Sequence, residues 1–173
     1  MKKLIFVILI FVFISCGHEQ PKEVQPDFSK YQAPLMKVNK MMIDKDSELI
    51  AAYVKRRQWK MDVSKTGLWY WIYKNGNGKL VEVDNQVTLK YKLSLLDGTL
   101  CYSSDSTGLK KFKAGRGGVE TGLEQAILMM HKGDKAYFIL PPHLAHGFLG
   151  DQKCIPARSI IVYDCEMVDV IRQ

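Results

Sequence analysis

Residues 87–98 read VTLKYKLSLLDG. Val87, Leu89, Tyr91, Leu93 and Leu95 are apolar, and Thr88, Lys90, Lys92 and Ser94 between them are polar. A period of two gathers the apolar set on one face of a strand, and Asp97-Gly98 ends it with residues that suit a tight turn. One face of this strand belongs to a core and the other to water.

The flanking stretches have the same grammar. Leu68-Trp69-Tyr70-Trp71-Ile72-Tyr73 is an aromatic strand stopped by Asn75-Gly76-Asn77-Gly78, residues that tolerate positive φ. Further on, Leu123, Ala126, Ile127 and Met130 follow i, i+3, i+4, i+7, which predicts a short helix with Gly133 as the glycine just past its end. Ala136, Phe138 and Leu140 alternate up to Pro141-Pro142, and a last strand runs through Ile161, Tyr163, Cys165 and Met167. Strands, one helix and strands again give an α+β fold with a mainly antiparallel sheet.

The N-terminal region reads differently. Lys2 and Lys3 precede an unbroken apolar run from Leu4 to Ile14. Eleven residues at about 1.5 Å each fall short of a hydrocarbon core roughly 30 Å thick, so the run is a secretory signal and not a membrane span. Ser15 before Cys16 looks like a lipobox, after which the cysteine is diacylated and becomes the mature N-terminus. More than one acyl chain holds a protein stably on a membrane. The expected location is the cell envelope, lipid-anchored, at the outer membrane facing the periplasm. The expected organisation is a signal peptide over 1–15, a tether over 16–43 that starts at Cys16, a helical segment over 44–66, and a globular domain over 67–173. Within the helical segment Leu49, Ile50, Tyr53 and Val54 form an amphipathic stripe, with Asp44 or Asp46 as N-cap. That stripe packs on the following domain or on a second copy as a homodimer, and the spacing does not choose.

The chain carries a net charge of +7. Lys55-Arg56-Arg57 and the group Lys110, Lys111, Lys113 and Arg116 invite a nucleic-acid reading. Export argues against it, and the first cluster closes a helix where cations meet the negative end of the dipole. No nucleic-acid partner is expected; anionic lipid headgroups or an acidic partner use the charge better. No phosphate-binding glycine loop, G-x-S-x-G or H-E-x-x-H occurs, and Gly115-Arg116-Gly117-Gly118 breaks the dinucleotide pattern at Glu120. His143 and His146 beside Cys154 sit on a Pro-Pro loop, a poor frame for zinc. No cofactor and no metal are expected. What remains is a shaped apolar pocket.

Val87 to Tyr91, Asp97-Gly98-Thr99, Ser103-Ser104, Phe112-x-x-Gly115, Gly122-Leu123-Glu124-x-Ala126, Met130-x-x-Gly133, Leu140-Pro141-Pro142-x-Leu144-Ala145-x-Gly147 and Ile155-Pro156 stand together in one register. In order and spacing they resemble FKBP-type peptidyl-prolyl isomerases over roughly residues 83 to 172. The lipoprotein signal, the preceding helix and Gly67-Leu68-Trp69-Tyr70 look further like the gliding-motility-associated FKBP lipoproteins of Gram-negative bacteria. The resemblance implies a twisted antiparallel sheet wrapped around the helix near Leu123, with a proline pocket between them. It assigns catalytic positions to Tyr91, Val119, Glu120, Leu123, His146 and Tyr163, and substrate contacts to Cys101, Tyr102, Phe112 and Ile155. Glu120 replaces an aliphatic residue whose main-chain N–H is the substrate donor, and its carboxylate is expected to point outward. Cys101 and Tyr102 stand where the family has an aromatic and an aspartate, Lys110 where another aromatic is frequent, and His146 where a tyrosine hydroxyl meets the ligand. Cys101 and Cys154 border the same pocket in the family, which suggests a disulfide and leaves Cys165 as a buried thiol; three reduced cysteines are the alternative. The implied activity is isomerisation of proline-containing segments of exported proteins. The alternative is a weak or inactive FKBP-like chaperone or scaffold of a cell-envelope machine.

Overall fold

The computed structural model describes residues 29–172. Met36–Gln173 is one compact unit, and Met1–Leu35 is another, described only from Ser29. The signal sequence and Cys16 lie outside the described residues. Among those residues no helix is long and apolar enough to cross a membrane.

Helix α1 spans Ser29–Arg57, so the tether expected over 16–43 is helical from Ser29 onward. Ala33, Met36, Lys37, Lys40, Met41 and Met42 are strong helix formers, and Pro34 removes one backbone donor near the start. The segment escaped notice because its apolar residues lack a stripe: Met36, Val38, Met41 and Ile43 are all exposed. Asp44 and Asp46 lie inside this helix and not at its N-cap, and of the expected stripe Leu49 is exposed. Ile50, Tyr53 and Val54 are buried against Ile139, Ile160 and Val162, with Trp59 and Trp69 at the margin. Lys55, Arg56 and Arg57 close the helix.

The sheet contains β1 (Asp62–Val63), β2 (Trp69–Lys74), β3 (Gln86–Leu95), β4 (Leu100–Ser103), β5 (Lys110–Lys113), β6 (Lys135–Leu140) and β7 (Ile161–Ile171). Its order is β1-β2-β6-β7-β3-β4, with β5 also on β3, and all pairs are antiparallel. Two short helices, α2 (Ser104–Thr107) and α3 (Thr121–Ile127), and a 3₁₀ turn at Pro142–Leu144 complete it. This is the α+β architecture expected, with an N-terminal helix ahead of a sheet that carries one short core helix.

Alternation decides which face each strand residue serves. Phe138 and Leu140 join Leu123, Ala126 and Ile127 of α3 in the main core, whereas Ile139 between them joins the cluster under α1. On β7, Ile161, Tyr163 and Cys165 face α3 and Val162 faces α1. The two helices therefore cover opposite faces. Gly122 permits the close approach of α3, since a Cβ there would lie 2.6 Å from the Leu140 side chain and 2.9 Å from the Leu144 carbonyl oxygen. Gly133 is not the residue that ends this helix. The C-cap is Leu128, and Gly133, at φ +93°, donates its N–H to the Met167 carbonyl across a later turn.

Candidate functional site: a hollow at the start of α3

The alternating face of β3 buries Tyr91 above β7, where its ring lies 5.9 Å from that of Tyr163. Ser104 Oγ accepts the Tyr91 N–H at 2.8 Å, and Thr107 Oγ1 lies 3.2 Å from the Tyr91 hydroxyl. The short α2 thus fixes the aromatic wall by both ends. Lys110 on β5 holds its Nζ 5.1 Å above the Tyr91 ring.

Glu120 is the N-cap residue of α3, in extended backbone, and its side chain does not cap the helix. Its carboxylate points inward, contrary to expectation. Tyr163 donates its hydroxyl to Oε1 at 2.9 Å, and His146 Nε2 lies 3.1 Å from the same oxygen. Two polar groups left in an apolar hollow attract the carboxylate, because an unpaired buried hydroxyl would itself be costly. The Glu120 side chain is only 9% exposed, and Oε2 is buried without a hydrogen-bond partner. Burial, followed by the nearby Glu120 charge, pushes the Tyr163 hydroxyl far above its ordinary range, so it remains a donor.

An open cavity of about 470 Å³ lies at this point, lined by Lys110, Gly118, Val119, Glu120, Ala145 and His146. Of the catalytic positions, then, Val119, Glu120 and His146 reach it. Tyr91 is 7% exposed and Leu123 and Tyr163 are 0% exposed; all three belong to the core, and Tyr163 meets Glu120 through its hydroxyl. Leu123 is a core residue, with no open floor above it. Phe112 is half-buried against the same core. The Glu120 N–H makes no hydrogen bond to the described residues and is free to meet a ligand carbonyl.

None of the four substrate-contact positions lines this cavity: Phe112 and Ile155 belong to the core, and Cys101 and Tyr102 join the loop that carries Asp151 and Cys154. Cys101 on β4 is bridged to Cys154, with Cα atoms 5.4 Å apart. Tyr102 donates its hydroxyl to Asp151 Oδ2, and Asp151 Oδ1 accepts N–H groups of Lys153 at 2.9 Å and Ile155 at 2.8 Å. Burial works to raise the Asp151 carboxyl, but these donors outweigh it and hold the group below its ordinary range. Ile155 is buried, so it packs in the core and does not meet solvent. Cys165 is a buried free thiol whose titration is pushed far up by burial. His143 Nε2 donates to the Thr66 carbonyl oxygen at 3.0 Å, away from His146. Sequence reasoning missed Asp151, Ser104 and Thr107. The signal for Asp151 was an aspartate two and four residues before N–H groups that need an acceptor in a turn.

A sheet that folds over one short helix, with a hollow where that helix begins, defines a class. Residues 78–168 match the family described as FKBP-type peptidyl-prolyl cis-trans isomerase. The chain belongs to that family. It is 36% identical over 121 residues to FkpA of Buchnera aphidicola, covering 68% of this chain and 47% of that one. It is 30% identical over 161 residues to the probable FkpA of Neisseria meningitidis, covering 91% and 58% respectively. The chain thus spans about half the length of the FkpA relatives it matches. Among solved structures, the fold is similar to FkpA from Escherichia coli at a TM-score of 0.64 and 24% identity, covering 99% of this chain and 83% of that one. AtFKBP13 superposes at 0.62 and 28% identity over 64% of this chain and 98% of its own.

Proposed function

We propose that this chain is a peptidyl-prolyl cis-trans isomerase that assists the folding of exported or cell-envelope proteins. Rotation about an X-Pro amide faces a barrier of about 20 kcal/mol that comes from resonance, so a site need only favour the twisted amide over both planar forms. The twisted amide has lost charge separation and tolerates an apolar wall better than the planar forms do. Val119 offers such a wall, and the unpaired Glu120 N–H offers a donor for the carbonyl that precedes the prolyl bond. Family membership over residues 78–168, with that free N–H on a cavity rim, carries the reading.

A peptide isomerisation assay coupled to conformer-specific cleavage tests it. Acceleration above the spontaneous rate that disappears in Val119→Asp is the expected result; a rate equal to buffer across peptides overturns it.

A second reading is a folding helper that grips chain segments without accelerating rotation. It is favoured by a cleft of about 240 Å³ lined by Met42, Ile43, Pro142 and Phe148, with Phe148 65% exposed and the neighbouring Leu149 75% exposed. Suppression of client aggregation without isomerisation would select it. Its setting in either case is a lipid anchor at Cys16 on the periplasmic side of the outer membrane, supported by the lipobox and apolar run. Membership of a gliding-motility complex rests on the resemblance alone. Fatty-acid labelling that vanishes in Cys16→Ser tests the anchor. Self-association through α1 is supported by the exposed Met36, Val38 and Met41. Light scattering on the chain with and without residues before Asp44 tests that, a halved mass being the expected outcome.

A further inference from the structure

We propose that the Glu120 carboxylate closes the prolyl hollow, and that the segments able to open it carry a lysine or arginine next to their proline. The inference rests on the isomerase reading above for the location of the prolyl ring, and on independent geometry for the selectivity.

Tyr163 and Leu123, the surfaces a prolyl ring would touch, are both 0% exposed. On the cavity side the Glu120 side chain stands over the Tyr163 hydroxyl, whose hydrogen bond it accepts, and faces His146 on its other side. The cavity outside this closure includes neither Tyr91, Leu123 nor Tyr163 in its lining. A ring that is to reach them must displace the carboxylate.

The closure is incompletely satisfied. Both neighbours meet Oε1, while Oε2 is buried with no partner. A neutral segment that displaces the carboxylate takes away its Tyr163 donor and offers none in return, and an acidic one adds repulsion. A guanidinium or ammonium supplies donors to both oxygens as the ring enters. The other charged wall of the cavity is Lys110, whose ammonium keeps its charge above the Tyr91 ring, so an incoming cation gains only where it sits nearer Glu120 than Lys110. The carboxylate therefore works as a filter against neutral and acidic neighbours of proline.

The test uses the full chain in detergent and four tetrapeptides that differ only in the residue before proline: lysine, arginine, leucine or glutamate. Dissociation constants and kcat/KM are measured separately. The wild type should bind the lysyl and arginyl peptides at least about tenfold more tightly than the leucyl one, and the glutamyl one least, with the spread shrinking to about twofold in Glu120→Gln. Glu120→Asp keeps the charge but is one methylene too short for Tyr163. It should retain the basic preference and bind the leucyl peptide more tightly. Equal affinities in the wild type, a preference for glutamate, or a preference that survives Glu120→Gln overturns the proposal. Basic preference in binding with no turnover of any peptide sinks the isomerase reading and leaves this one standing. Should Glu120→Gln fail to fold by circular dichroism, Tyr163→Phe serves instead: tighter leucyl binding supports the closure, and unchanged binding refutes it.

Discussion

Separating Cys101 from Cys154 should weaken the folded state substantially while leaving the rim in place. The bridge closes a loop with a sequence separation of 53 residues. In the chain-entropy description, a loop of that size removes about 14 cal/mol/K from the unfolded ensemble, or about 4 kcal/mol at 25 °C. The native loop does not depend on the sulfurs alone. Asp151 gathers the Lys153 and Ile155 N–H groups and the Tyr102 hydroxyl independently of them. The penalty should therefore fall on the unfolded chain and not on the geometry of the hollow. Urea unfolding of Cys101→Ser/Cys154→Ser against the parent should move the midpoint down by about 2 M, taking a slope near 2 kcal/mol/M. Alkylation and intact mass on unfolded, unreduced parent should show one free thiol among Cys101, Cys154 and Cys165. A loss below about 1 kcal/mol, with the bridge confirmed in the parent, would refute the entropic reasoning.

Other consequences are open to measurement. Ile50→Ala empties a wholly buried site between α1 and the sheet and should cost about 3 kcal/mol in urea unfolding; a cost below about 1 would mean that the helix contributes little to the domain. Gly122→Ala should destabilise by at least about 1 kcal/mol despite alanine's better helix propensity, because the Leu144 carbonyl cannot move aside as a side chain can. Asp84 is held down to about 2 by Arg116, which meets both carboxylate oxygens at 2.7 Å, and by Lys113. Its folded value lies below its unfolded one, so its contribution is present above pH about 4 and is lost as pH falls toward 2. In Asp84→Asn that part of the acid-induced fall in the urea midpoint should be absent.

The half-buried strands were legible because a period of two is written along ten residues of β3 and most of β7. Leu123, Ala126 and Ile127 announced α3 for a similar reason, but Met130 extended the stripe past the real end at Ile127. Met130 is buried from the following turn, and a loop residue that happens to face the core imitates another helical turn. β1, β4 and β5 left no mark, since strands of two to four residues exist by virtue of a partner already formed. Of the site, the order of motifs located Val119, Glu120 and His146 on one rim. What it could not convey was the direction of one carboxylate. That direction is decided by a hydroxyl on β7, 43 residues away, and by a histidine 26 residues away. The hollow that reads as apolar is consequently partly polar, with Lys110, Glu120 and His146 on its wall.

The strand order has a practical consequence wherever copies of the chain meet. Its longest strands, β3 and β7, lie inside the sheet; one margin is formed by β4 and β5, of four residues each, and the other by β1, which pairs only Trp69 and Tyr70 and leaves Trp71–Lys74 of β2 uncovered. A neighbour seeking to add a strand finds no more than four residues in a row at either margin. Crowded copies are thereby denied a long template for amyloid-like stacking.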